Sequence, residues 1–322
     1  MSNVAGTRID IFPCAKQNTH LQAARIAKST SMNKPRFFIT DVFTTQRYGG
    51  NQLATFIDCE SLSDAEMQKI ARELNFSETT FITSRQPRDG GFDVRIFTPK
   101  AEVEFAGHPT LGTAHIIRNK LQLTAANELT LNQRVGKIPV TFSENAMVWM
   151  KQMPPTFGKQ LDASTLAQVL GIAPSDIEQN FPIEEVSTGF PTLVVPLKNL
   201  YSLKRAKINQ DKYFALVNDA WAKLILVFSR EGYEAEQSLS VRVFADFYGV
   251  PEDAATGSAC GSLAAYLAHH QLFGSANVDV LAGQGYEMGR PSTLALRALE
   301  NKNDTEIFVG GSVVDVAEGV WG

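Results

Sequence analysis

Cysteine is scarce and unpatterned in this chain. Its three copies, Cys14, Cys59 and Cys260, are an odd number among 322 residues, with no Cys-x-x-Cys pair. That argues against a disulfide framework or a cysteine-built metal site and for a reducing compartment, so a cytoplasmic location is expected. The five histidines offer no His-x-x-x-His spacing: His108 and His115 are seven apart, and His269 and His270 are adjacent. No metal is expected. Basic runs are missing too, and the formal net charge is −4, which speaks against a nucleic-acid partner. No uninterrupted apolar stretch approaches the ~20 residues of a membrane-spanning helix, so no membrane partner is expected. A P-loop is absent, and Gly283-Gln284-Gly285 has the wrong spacing for a dinucleotide fingerprint, with Arg290-Pro291 interrupting any following helix.

What is there is a globular composition, 44% hydrophobic and 20% charged, in a chain long enough for two domains. One unit also occurs twice. Val94-Arg95-Ile96-Phe97 leads to Gly107-His108-Pro109-Thr110-Leu111-Gly112, and Val241-Arg242-Val243-Phe244 leads to Gly257-Ser258-Ala259-Cys260-Gly261. The offsets, 241 − 94 = 147 and 257 − 107 = 150, are about half the chain. Each unit reads as a strand, an acidic loop, a glycine turn and a helix of small and apolar residues. Two similar domains would then aim helix N-termini at a shared cleft, where unpaired N–H groups suit a carboxylate.

Local patterning fills in the rest. Strands are expected at Phe37–Phe43, Leu53–Ile57 and Phe76–Thr83, with a helix to Leu74 opened by a Ser63/Glu66 capping box. Two or three strands follow in Asn127–Lys151. Met153-Pro154-Pro155 marks the boundary, so the first domain is 36–153, completed by a C-terminal strand at about 308–322, and the second is 154–307. A short helix is expected at Leu161–Leu170, and Thr188-Gly189-Phe190-Pro191 stands where Gly49-Gly50-Asn51-Gln52 stood in the first copy. The helix carrying Ala264, Ala265, Leu267 and Ala268 is apolar nearly all round and should be buried. Residues 1–35 lack a core pattern and read as a poorly ordered extension, with Met32 as an alternative start.

Four side chains stand out chemically. Glu78 shares a strand face with Phe76, Thr80 and Ile82, where burial raises a carboxyl pKa and suits proton transfer; an edge glutamate facing solvent is the plain alternative. His108, before Pro109, is expected at a helix N-cap, binding a ligand or capping its own helix. Asp253 complements a helix dipole or forms an Asx-turn when taken alone. Ser258 is more often an N-cap than a nucleophile, and Gly257–Gly261 does not fit Gly-x-Ser-x-Gly. Cys260 is expected as a small packing residue.

Taken together, the motifs Asp41-Val42-Phe43, Gly50-Asn51, Ser77-Glu78-Thr79-Thr80-Phe81, Ala106–Gly112, Glu252–Ala259 and Gly310-Gly311-Ser312-Val313 resemble the PhzF-like isomerases over Arg36 to Gly322. The resemblance implies an α+β fold of two pseudo-symmetric diaminopimelate epimerase-like domains, each a curved sheet around a central helix, with the site between them. It also implies no cofactor, a homodimer, Glu78 as general acid/base, and His108, Asp253, Ser258 and Asn51 around the substrate, with Gly107 and Gly257 as backbone donors. Gln52 and Ala254 depart from the family, which usually has proline there. Related epimerases carry a cysteine before each turn glycine; here those residues are Ala106 and Thr256, which excludes two-cysteine racemisation. The expected activity is a cofactor-independent isomerisation that relocates a proton within a small carboxylate. Two rival readings are a lyase or tautomerase on another metabolite, and a non-catalytic metabolite-binding protein.

Overall fold

Runs of β-branched and aromatic residues between glycine and asparagine turns become strands, and they do so in the same order twice. A computed structural model describes residues 34–301 and 304–322; the extension expected at residues 1–35, with Cys14 and Met32, lies almost wholly outside them. In the first half, β1 (Arg36–Val42) and β2 (Asn51–Ile57) are antiparallel, α1 (Asp64–Leu74) follows, and β3 (Glu78–Ile82) returns parallel to β2. β4 (Phe92–Phe97) pairs antiparallel with β3 and with short β5 (Glu102–Val103), ahead of α2 (Gly107–His115). β6 (Glu128–Gln133) lies parallel to β4, and β7 (Gly136–Phe142) and β8 (Val148–Lys151) complete a meander.

The second half begins with β9 (Thr156–Leu161) and α3 (Ala163–Leu170), then β10 (Ile183–Ser187) and β11 (Thr192–Pro196). After α4 (Leu200–Arg205) and α5 (Gln210–Val217) come β12 (Leu224–Ser229), β13 (Leu239–Ala245), β14 (Val250–Asp253) and α6 (Gly257–His269). β15 (Val278–Gln284), β16 (Ser292–Glu300), β17 (Thr305–Gly311) and β18 (Val313–Val320) close the chain. The pairings repeat those of the first half: β11 parallel to β12, β13 antiparallel to β12 and β14, β13 parallel to β15, then a meander to β17. The sequence repeat is thus a topological one.

Long-range pairing joins the halves. β18 pairs antiparallel with β1, and β17 pairs with β8 as well as β16. The expected boundary at Met153 falls between β8 and β9, but the mixed α+β sheet of eighteen strands runs across it. Lys34–Gly322 is one compact unit.

The inner faces of both halves pack on α2 and α6, whose residues Gly107–Ala114 and Gly257–Ala268 are all buried. Small side chains let the strands approach these two helices from every side. The outer faces are covered separately. Met67, Ile70 and Ala71 of α1 pack against Phe56, Phe81 and Phe97 in the first half, whereas α3 and α5 cover β11–β13 in the second. The capping box forms as expected, with Ser63 Oγ accepting from Glu66 N–H and Glu66 Oε2 accepting from Ser63 N–H. β3 is shorter than the expected 76–83 strand, because α1 ends on a left-handed Asn75 (φ 54°) and Phe76-Ser77 are spent turning the chain.

Candidate active site

Each candidate side chain sits where a strand or helix begins or ends. Asn51 opens β2 directly after left-handed Gly50 (φ 62°), and Glu78 opens β3, opposite Leu53 of the parallel β2. Asp253 ends β14, four residues before α6. The two central helices start at Gly107 and Gly257, and their N-termini touch. A Cβ on Gly107 would stand 2.6 Å from the Cα of Gly257 and would collide with the backbone nitrogen of Ser258. Only glycine permits this approach. Neither helix has a side-chain cap or an acidic residue in its first turn, so neither first turn has a carboxylate of its own.

Two placements correct the sequence reading. His108 is not the N-cap; Ala106 is, and His108 lies one residue inside the helix. Pro109 is tolerated there because the first helical N–H groups have no intrahelical acceptor to lose. Thr256, not Ser258, is the N-cap of α6.

The structure brings Asn51, Ser77, Glu78, His108 and Asp253 into one cluster, in which Asn51, His108 and Asp253 are buried and Ser77 and Glu78 half-buried. Asn51 Nδ2 donates to Asp253 Oδ1 at 2.7 Å and to the Ala255 carbonyl at 2.9 Å, and lies 3.1 Å from His108 Nδ1. Ser77 Oγ stands 3.1 Å from both Asn51 Oδ1 and Asp253 Oδ1. Thr256 Oγ1 donates to Asp253 Oδ2 at 2.6 Å. His108 Nε2 faces Glu78 Oε2 at 3.5 Å, and both atoms are buried without a hydrogen-bond partner among the described residues. Ser77 has one hydroxyl hydrogen for its two acceptors, Asn51 Oδ1 and Asp253 Oδ1.

Burial first, then the Asp253 carboxylate, pushes the Glu78 carboxyl well above its ordinary value. Burial also raises Asp253, against opposing hydrogen bonds from Thr256, Asn51 and Ser77. His108 is pushed down to about 3 by burial, so its imidazole is neutral near pH 7. Two carboxyls of raised pKa beside a neutral histidine form a proton-transfer site with no fixed positive charge.

A small cavity of about 40 Å³ opens beside this cluster, lined by Glu78, Asp253 and Ser258 together with Phe105, Phe190 and Tyr248. Its lining includes no lysine or arginine. A carboxylate there would be balanced by the first turns of α2 and α6 rather than by a side-chain cation. Among the described residues no group of three or more His, Cys, Asp or Glu is arranged to hold a metal ion. Cys260, fully buried, contacts Gln284 rather than the cavity, as a packing residue would.

Sequence reading gave Ser77, Thr256 and Gln284 no role at the site, where all three bond to Asp253. Gln284 Nε2 donates to the Asp253 carbonyl at 2.8 Å and to Thr256 Oγ1 at 3.0 Å, while its Oε1 accepts from Thr256 N–H at 3.0 Å. A lone glutamine between two glycines was the available signal. The aromatic wall of Phe190 and Tyr248, with ring centroids 5.3 Å apart, left none.

Residues 40–319 match the family model described as phenazine biosynthesis-like protein, PhzC-PhzF. A trans-2,3-dihydro-3-hydroxyanthranilate isomerase of Pseudomonas aeruginosa is 35% identical over 290 residues, covering 88% of this chain and 98% of its own. An uncharacterised isomerase of Mesorhizobium japonicum is 31% identical over 298 residues, covering 89% and 99%. The crystal structure of a PhzF-family protein of Bacillus anthracis superposes with a TM-score of 0.82 at 28% identity, covering 89% of this chain and 99% of that one. A probable proline racemase of Agrobacterium radiobacter, at 10% identity and a TM-score of 0.58, covers 89% and 93% and shares the fold alone. By sequence and by structure the chain belongs to the PhzC-PhzF family, and its enzyme class is isomerase.

Proposed function

We propose that this protein moves a proton from one carbon to another within a small cyclic carboxylate of the dihydro-hydroxyanthranilate type, with Glu78 as the only acid/base. The observation that carries the reading is the Glu78 carboxyl: raised in pKa, with Oε2 buried and unpartnered among the described residues, beside a cavity at two helix N-termini. In its ionised form Glu78 takes a proton from an activated C–H. The electron pair left behind spreads toward the substrate carboxylate, which the N–H groups at Gly107 and Gly257 and the Ser258 hydroxyl hold. Preorganised donors stabilise that charge without reorganising during the reaction. Glu78 then returns the proton to another carbon, leaving atoms and electrons balanced and asking nothing of a cofactor. Asp253, His108 and Asn51 orient a substrate amine or hydroxyl, and the Asp253 charge tunes Glu78.

The substrate class comes from the Pseudomonas aeruginosa relative, whose name gives its substrate. The test is NMR in D₂O with trans-2,3-dihydro-3-hydroxyanthranilate, running wild type beside Glu78→Gln. A product with the substrate's elemental composition apart from solvent deuterium at carbon, formed about 10²–10⁴ more slowly by Glu78→Gln, supports the reading. Loss of water or ammonia from the substrate would make the enzyme a lyase, and wild-type turnover by Glu78→Gln would remove Glu78 from the chemistry.

A further inference from the structure

The loop from Phe43 to Gly50 that delivers Asn51 to the site has a local turn at Thr44–Gln46, but its strained positions lean on other parts of the chain. Phe43 (φ 67°), Tyr48 (φ 72°) and Gly50 (φ 62°) all lie in the left-handed region, and two of them carry side chains that disfavour it. Such a loop persists only where its surroundings determine it. The Phe43 end is held by the Ser312 carbonyl, which accepts the Phe43 N–H at 2.8 Å, and Arg47 Nε donates to the Asp315 carbonyl at 2.8 Å; the end that leads into Asn51 is held by one segment of the other half, Gly285–Ser292. Arg290 Nε donates to the Gly50 carbonyl at 2.7 Å, and its Nη2 donates to the Gly49 carbonyl and to Asp41 Oδ1, both at 2.6 Å. Asp41, buried, accepts the Tyr48 N–H on its other oxygen at 2.6 Å. The Gly50 N–H donates to the Pro291 carbonyl at 3.0 Å. One guanidinium fork thus satisfies three acceptors around the loop.

The same segment also grips the opposite side of the site. Ser292 Oγ donates to the Ala254 carbonyl at 3.1 Å, and Gln284, just before the segment, fixes Asp253 and Thr256. Left-handed Gly285 (φ 80°) lets the backbone run close to that loop: a Cβ there would stand 2.5 Å from the Ala254 carbonyl oxygen. Between the two grips lies the 2.7 Å bond from Asn51 to Asp253.

We propose that Arg290 is a positioning residue: through the 285–292 strap it sets Asn51 against Asp253 and His108, and so sets the geometry in which Glu78 works. The catalytic half of this proposal rests on the isomerase reading above; the structural half does not. A lysine cannot replace the arginine, because a single ammonium cannot present a planar fork to fixed acceptors.

The experiment compares wild type with Arg290→Lys and Arg290→Ala by amide hydrogen exchange, by the ring ¹⁵N signals of His108, and by turnover with and without added guanidinium. Arg290→Ala should speed exchange at Gly50 and Asn51 while α1 keeps its wild-type rates, and should shift the His108 signals. It should lower kcat/KM by about 10², the cost of misplacing a site by an ångström, and guanidinium should restore part of that loss. Arg290→Lys should fall between the two, and it carries the same readouts if the alanine variant does not fold. Unchanged loop exchange and His108 signals would overturn the proposal, as would faster exchange across the whole chain without guanidinium rescue. If wild type turns over no substrate, the isomerase reading fails on its own, and the exchange and ring signals still decide the strap.

Discussion

The contact between the two helix N-termini can be tested with a single methyl group. Gly107→Ala would place a Cβ 2.6 Å from the Cα of Gly257, whereas carbon atoms settle at about 3.5–4.0 Å, so the first turn of α6 must retreat by roughly 1 Å. Both partners are backbone, and no rotamer change can absorb the shift. Overpacking of this kind costs about 1–3 kcal/mol of stability. The larger effect should be on activity, because the displaced N–H groups are those proposed to hold the substrate carboxylate. A 1 Å misplacement costs on the order of 10² in rate, or about 2.7 kcal/mol of transition-state stabilisation. Gly112→Ala, five residues along the same helix, is the matched control: its Cβ would meet Leu53 Cδ2 at 2.5 Å, the far end of a flexible side chain. The assay is kcat/KM on whichever substrate the wild type isomerises, alongside urea unfolding of all three proteins. Gly107→Ala should lose about 10² in kcat/KM while Gly112→Ala stays near wild type at comparable stability. Equal losses in the two variants, or full activity in Gly107→Ala, would refute the idea that the touching N-termini build the site.

Three further outcomes follow from the electrostatics. Glu78→Gln should gain stability relative to wild type as pH rises above about 4.3: the raised Glu78 pKa means the unfolded chain ionises first, so the wild type loses stability until pH passes the folded value. Unfolding of both proteins across pH 4 to 8 checks this, and a pH-independent difference would contradict it. Asp253→Asn should lower the Glu78 pKa, since the second cause of its elevation is the Asp253 charge; carboxyl ¹³C shifts would read the change, and an unmoved Glu78 signal would mean the two groups are uncoupled. Cys59, pushed up to about 12, and Cys260, raised further, should resist thiol reagents in the native state, so peptide mapping should find both labelled only after unfolding.

The legible part of this protein was what repeats locally. Ser63 and Glu66 announced a helix start because a capping box is complete within four residues. The apolar run Ala264–Ala268 announced a buried helix because no face of it suits water. Glu78, His108 and Asp253 were conspicuous through their motifs, but nothing in the sequence says that residue 51 donates to residue 253 across 202 positions. Ser77 and Gln284 were opaque for the same reason, as their partners are distant in the chain. Both caps lie two residues earlier than their side-chain types suggest: proline is tolerated beyond the first position of α2, and serine, a common cap, falls inside α6. The parallel pairing of β11 with β12 and the intervening α4 and α5 depend on a crossover that local patterning does not encode.

The pairing of β1 with β18 also constrains how the chain is made. Arg36 sits opposite Val320, so one edge of the earliest described strand stays uncovered while a ribosome adds nearly three hundred further residues. That edge, on a strand carrying Phe37, Phe38 and Ile39, is a template for pairing with the wrong chain until the last strand arrives. A domain that folds from its first residues onward avoids this interval; the first half of this one cannot close before the second has been synthesised. Slow, non-local closure of this kind is where misassembly competes with folding, and removal of β18 should therefore lower yield in cells well beyond its effect on the stability of molecules already folded.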